Sequence, residues 1–181
     1  MPDPKNHRLV YLGNLLNVAE SLCLLEGAQL VAWLYENDSE PKEPFQRLAR
    51  KKGFPTFEVK TPADIERVLG ECAPLDLGII ANFGIVLNRR SLKIPRKGFV
   101  NAHLGLLPEN PGRHPIRRVV ESGESITGVT LHRVTPQVDR GPVLAKKTVS
   151  VGHKRDSAEI FCRLCDLTPG LIRTYLPYLL Q

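Results

Sequence analysis

The sequence predicts an α/β fold, an open and mostly parallel twisted sheet flanked by helices. Short apolar runs of strand character alternate with segments of helical periodicity, and glycines and prolines mark the turns between them. Size agrees with this. With 181 residues, no internal repeat and no long linker, residues 1–181 are expected to form one domain with a sizeable core.

Residues 8–13 (RLVYLG) read as a first buried strand and residues 15–26 as the helix after it, closed by Gly27. Residues 29–35 form a second strand. Residues 44–52 have helical character and stop at Gly53, after which 55–59 are extended. Thr61 and Pro62 open a helix over 63–70, because a threonine caps a backbone N–H and proline is tolerated at the first helical position. Residues 76–81 (DLGIIA) are a central strand, with Phe83 and Gly84 at its carboxyl end, where open α/β sheets place their ligand crevice. A strand enters a loop over 98–103, a short helix spans 115–121, and strands follow at 128–134 and 143–151. Residues 157–180 hold the closing helix or helices, interrupted at Pro169 and Gly170.

A hydrophobic fraction of 42% and a charged fraction of 24% are those of an ordered globular chain. Asp3, Lys5 and Arg8 flank an apolar run at 9–12 that is too short for a signal core or a membrane span, so a cytoplasmic protein without a membrane partner is expected. Cys23, Cys72, Cys162 and Cys165 are scattered, as reduced thiols are. The C-x-x-C at 162–165 lacks a second pair and lies on a helical stripe with Ile160, Phe161, Leu164 and Leu167, which suits core or boundary cysteines better than zinc. The net charge of +6 favours an anionic ligand, but the basic residues spread over 47–52, 89–97, 113–118 and 146–155 without aromatics to stack bases. His114, His132 and His153 lack the paired spacing of a metal cluster; no metal is expected, and these histidines are read as surface or substrate-side. An apolar stretch at 176–180 suits core or interface, which leaves an oligomer open.

Asn101 and His103 stand two residues apart on the strand entering a loop, so their side chains emerge on one face, and Asp139 precedes Gly141 in a later turn. An amide, an imidazole and a carboxylate together can move protons and hold an oxyanion without a metal. Each also has a plainer role, as a turn residue, a backbone-bonded histidine and the start of a D-x-G turn. The turn at 13–17, with Gly13 and Asn14, can offer backbone amides to a phosphate, although it lacks the glycine pattern of a dinucleotide site and the lysine of a Walker loop; a plain capped turn fits it equally.

The run NAHLGLLPENPG, followed by GVT at 128–130 and DRGP at 139–142, resembles the folate-dependent formyltransferases, the group that includes glycinamide ribonucleotide, methionyl-tRNA and amino-sugar formyltransferases. The resemblance is strongest between Asp76 and Val151. It implies a Rossmann-like formyltransferase fold, a catalytic set of Asn101, His103 and Asp139, and 10-formyltetrahydrofolate as formyl donor. By the same resemblance the pterin lies between Phe83, Val86 and Leu87 on one side and Thr135, Pro136, Gln137, Val138 and Asp139 on the other. The acceptor side takes in Gly13, Asn14, Pro108, Gly112, Arg113 and His114. A primary amine then attacks the formyl carbon, with Asn101 and a protonated His103 donating to the oxyanion and Asp139 favouring the cationic imidazole and relaying the amine's proton.

Gly105 stands where the family commonly has serine, and residues 13–17 carry two leucines where glycinamide ribonucleotide enzymes have small polar residues. The methionyl-tRNA enzymes carry a basic insertion after the second strand and an extra carboxyl-terminal domain. Here the connection at 37–44 is short and the chain ends at Gln181, so tRNA is not the expected partner. The expected acceptor is a small anionic amine, an amino-sugar nucleotide or a molecule like glycinamide ribonucleotide. Water in place of the amine makes a formyltetrahydrofolate hydrolase, and loss of acceptor access makes a non-catalytic folate-binding protein.

Overall fold

β1 (His7–Gly13) is buried from Leu9 to the end, on both faces, as the central strand of a covered sheet must be. The computed structural model describes residues 6–36, 43–153 and 155–181. β1 is followed by α1 (Leu16–Leu22), β2 (Ala28–Glu36), α2 (Glu43–Lys52), β3 (Thr56–Val59), α3 (Pro62–Cys72) and β4 (Leu77–Ala81). A short 3-10 turn at Ser91–Lys93 then leads to β5 (Phe99–His103), α4 (Pro115–Ser122), β6 (Ile126–Arg133), β7 (Val143–Ser150) and α5 (Ser157–Leu180). The sheet order is β3-β2-β1-β4-β5-β6-β7. The first five strands are parallel, and β6 and β7 are antiparallel to their neighbours.

Two apolar clusters cover the sheet. One joins Leu9, Tyr11, Trp33 and Val100 to α1, α2 and α5; the other joins Val10, Leu12, Ile80 and Phe99 to α3. Thr61 starts α3 with a reciprocal cap: its hydroxyl accepts from the Asp64 N–H at 3.2 Å, and the Asp64 carboxylate accepts from the Thr61 N–H at 2.9 Å.

Two helices differ from the sequence expectation. α1 ends at Leu22 rather than reaching residue 26, because the N–H groups of Leu24 and Leu25 turn back to Ser21 and Leu22 and tighten the chain toward Gly27. α5 runs through Pro169 and Gly170 without a break. Pro169 has no N–H to give the Cys165 carbonyl four residues back, and the Asn17 side-chain amide donates to that carbonyl instead, at 3.0 Å. The four cysteines are free thiols, and burial pushes Cys165 up to about 12. Residues 37–42 of the connection after β2, and the charged residues Asp3, Lys5 and Lys154, lie outside the described residues. Among the described residues no helix is long and apolar enough to cross a membrane.

Candidate active site

The chain runs outward from β1 to β2 and β3, then returns to place β4 on the other side of β1. Open α/β sheets form their crevice at such a reversal, outside the carboxyl ends of the strands. A cleft of about 740 Å³ lies there, lined by Asn14 after β1, Glu36 at the end of β2, residues 82–87 after β4 and the end of β5.

β5 supplies the floor. Phe99, Asn101 and His103 share one face; Phe99 packs into the core below, while Asn101 and His103 border the cleft. Antiparallel pairing sets Asn101 opposite His132 and His103 opposite Thr130. His132, expected at the surface or on the substrate side, is only 2% exposed and lines the cleft floor. Its Nδ1 lies 2.9 Å from the Arg133 carbonyl and donates there, which leaves Nε2 to accept from the Asn101 amide at 3.1 Å.

His103 is 7% exposed, and its Nε2 donates to the Asn110 carbonyl at 2.7 Å. Nδ1 then carries the lone pair and faces Asp139 Oδ2 at 3.6 Å. Asp139 takes a left-handed backbone conformation, φ 53°, which aspartate tolerates. Its Oδ2 accepts from the Gly112 N–H at 2.8 Å, and its Oδ1 lies 3.5 Å from both Asn101 Nδ2 and His132 Nε2.

Burial pushes His103 below the usual imidazole range, with His132 and Arg118 adding to the effect; the Asn110 bond and the Asp139 charge oppose it without prevailing. The resting imidazole is therefore neutral, where the sequence reading has it cationic. Asp139 is ionised. Burial alone would raise it, but its contacts with His132 and His103 and the bond from the Gly112 N–H together hold it below the ordinary carboxylate range.

Asn101, His103 and Asp139 thus meet, and Phe83, Val86, Leu87, Thr135, Val138, Asn14, Gly112, Arg113 and His114 line the same cleft. Gly13, Pro108, Pro136 and Gln137 do not line it. Gly13 is a packing residue: a Cβ there would stand 2.0 Å from the Ala81 carbonyl oxygen, and its own carbonyl accepts from the Trp33 indole at 2.6 Å. Pro108 is exposed in the loop after β5, and Gln137 turns its carbonyl to the Thr135 hydroxyl at 2.9 Å. His132, Glu36 and Asn82 join the lining without having been singled out as site residues. Alternation along 128–134 puts Thr130 and His132 on one face, and Glu36 ends a parallel strand, so both carried a sequence signal.

The sequence model of the formyl transferase family matches residues 33–174. The chain belongs to this family. The methionyl-tRNA formyltransferase of Phenylobacterium zucineum is 33% identical to this formyl transferase family member over 179 residues, covering 91% of the chain and 57% of that relative. That of Methylococcus capsulatus is 36% identical over 137 residues, covering 74% of the chain and 44% of the relative. The chain thus spans about half the length of the curated relatives it matches. Among solved structures, glycinamide ribonucleotide transformylase 1 from Symbiobacterium toebii superposes with a TM-score of 0.81 at 18% identity, covering 95% of this chain and 86% of that one. Phosphoribosylglycinamide formyltransferase from Brucella melitensis gives 0.79 at 23% identity, covering 98% and 97%. At such identities the likeness is one of fold, and it agrees with the predicted open, mostly parallel sheet.

Proposed function

We propose that this chain transfers a formyl group from 10-formyltetrahydrofolate to a primary amine. The observation that carries the reading is the meeting of the Asn101 amide, the His103 imidazole and the Asp139 carboxylate on the floor of one cleft, with the imidazole 3.6 Å from the carboxylate. A cleft of about 740 Å³ suits a pterin and an amine together, and Phe83, Ile85, Val86, Leu87 and Val138 give it apolar walls.

Attack of the amine on the formyl carbon makes a tetrahedral intermediate with an oxyanion and a cationic nitrogen. Asn101 donates an N–H to the oxyanion while its contact with His132 fixes the amide's orientation. His103, neutral at rest, takes the amine's proton on Nδ1, and the resulting imidazolium is stabilised by Asp139. As the intermediate collapses, the bond from the formyl carbon to the folate nitrogen breaks, the imidazolium returns the proton to that nitrogen, and tetrahydrofolate leaves.

The acceptor is an amine on a phosphate-bearing molecule. Arg113, His114 and Arg117 at the cleft and the net charge of +6 support an anionic partner. A small amino-sugar nucleotide or glycinamide ribonucleotide-like acceptor fits the sequence reading. A second reading, an aminoacyl-tRNA amine, is favoured by the names of the curated relatives, which weigh against setting tRNA aside. Incubating the purified chain with 10-formyltetrahydrofolate and, in turn, methionyl-tRNA, glycinamide ribonucleotide and an amino-sugar nucleotide separates them. Absorbance reports tetrahydrofolate release. Release with one amine names the acceptor, and release without any amine would replace transfer by hydrolysis.

A further inference from the structure

Arg113, placed so far only on the acceptor side, makes a contact that points across the cleft. Its guanidinium Nη2 donates to the Gly84 carbonyl at 3.1 Å. Gly84 is held from its other side as well, since its N–H donates to Glu36 Oε2 at 2.7 Å. A Cβ at Gly84 would stand 3.0 Å from Glu36 Oε1, so this backbone lies close under the carboxylate. The residue before Arg113, Gly112, gives its N–H to Asp139 Oδ2 at 2.8 Å and has φ 92°. Arg118 braces the same loop through the Pro111 carbonyl. A continuous path of hydrogen bonds and one peptide step therefore runs from Glu36 through Gly84, Arg113 and Gly112 to Asp139. It joins the wall proposed for the folate to the carboxylate proposed to stabilise the His103 imidazolium.

We infer that Arg113 is a positioning residue that ties the wall at 82–87 to the loop at 111–114 and so holds Asp139 in register with a donor bound against that wall. The inference rests on the formyl-transfer reading for its kinetic consequence, but not for the tie itself. A guanidinium suits such a tie, because it stays charged and a charge-assisted donor gives a carbonyl a stronger bond than a neutral one does. A solvent-facing bond of this kind is worth a threefold to roughly tenfold effect, because water competes for both ends.

The test compares Arg113→Ala and Arg113→Lys with the parent chain by amide hydrogen exchange and by steady-state kinetics. Without any ligand, Arg113→Ala should speed exchange at the Gly84 and Gly112 amides about threefold to tenfold while the core strands β1 and β4 keep their protection. With donor and acceptor, its KM for the donor should rise and its kcat fall by about the same factor, and Arg113→Lys, which keeps a cationic donor, should recover most of both. Unchanged exchange at both amides would overturn the tie. Loss of acceptor affinity alone, with the donor KM and kcat intact, would instead make Arg113 an acceptor contact and overturn the positioning role. If the parent chain transfers no formyl group, the functional reading fails while the exchange experiment still judges the tie.

Discussion

Thr130→Val probes how the fold aims His103, and the structure supplies its expected size. Thr130 is fully buried on β6, opposite His103. Its hydroxyl donates to the Gly105 carbonyl at 2.7 Å and accepts from the Leu107 N–H at 3.1 Å, pinning the loop whose Asn110 carbonyl holds His103. Valine keeps the shape and removes both bonds. A buried polar group left without a partner costs about 1–3 kcal/mol, so two such groups predict a loss of about 2–6 kcal/mol. With a urea slope of about 2 kcal/mol/M for a chain of this size, the unfolding midpoint should fall by about 1–3 M. Turnover should fall by one to two orders of magnitude, since a displacement of about 1 Å in a catalytic group costs roughly that much. The control is three residues away. Thr127 is equally buried on the same strand, but its hydroxyl has no hydrogen-bond partner among the described residues, so Thr127→Val should be neutral or stabilising. Equal midpoint shifts for the two variants would show that the Thr130 bonds do not hold the loop.

Asp139→Asn keeps a side chain that tolerates the left-handed backbone and still accepts from Gly112; kcat should fall by about two to four orders of magnitude with the fold intact, and near-parental turnover would remove the carboxylate from the mechanism. His132→Leu deprives Asn101 of its 3.1 Å imidazole acceptor and should lower kcat about tenfold while tetrahydrofolate affinity, read by titration calorimetry, is unchanged; a loss confined to affinity would contradict the orienting role. Because burial holds His103 below its unfolded value of about 6.5, the folded chain binds that proton less readily than the unfolded chain. The resulting stability is complete above about pH 6.5 and is lost as pH falls through the lower folded value; turnover should decline over the same acid limb, and a limb centred above 6.5 would contradict a neutral base. The contribution of Asp139 has the same sign but lies lower, lost as pH falls below the carboxylate range.

The alternation that sets Asn101 and His103 on one face was legible in five residues of sequence, because a strand's period of two is local. Asp139 was legible as a carboxylate in a turn before Gly141 and again in the D-x-G-P resemblance, but its approach to His103 depends on a loop that no periodicity describes. His132 needed more. It joins the site only because β5 and β6 pair antiparallel with Asn101 opposite His132, a register fixed by contacts 31 residues apart. The neutral state of His103 was hidden for a similar reason: the resemblance pairs a carboxylate with the imidazole, while burial, the stronger influence here, follows from packing. At Gly13, a phosphate-turn signal and a packing requirement look alike until β4 is seen to run against it. The break expected at Pro169 disappears because Asn17, 148 residues from Cys165, satisfies the freed carbonyl.

Formyl transfer itself is best followed through the carbon. With 10-formyltetrahydrofolate carrying ¹³C in the formyl group, the purified chain and an amine acceptor, NMR should show the label move into a formamide as tetrahydrofolate appears in equal amount. Label appearing as formate regardless of the amine, or remaining on the folate with every acceptor offered, would be incompatible with a formyltransferase.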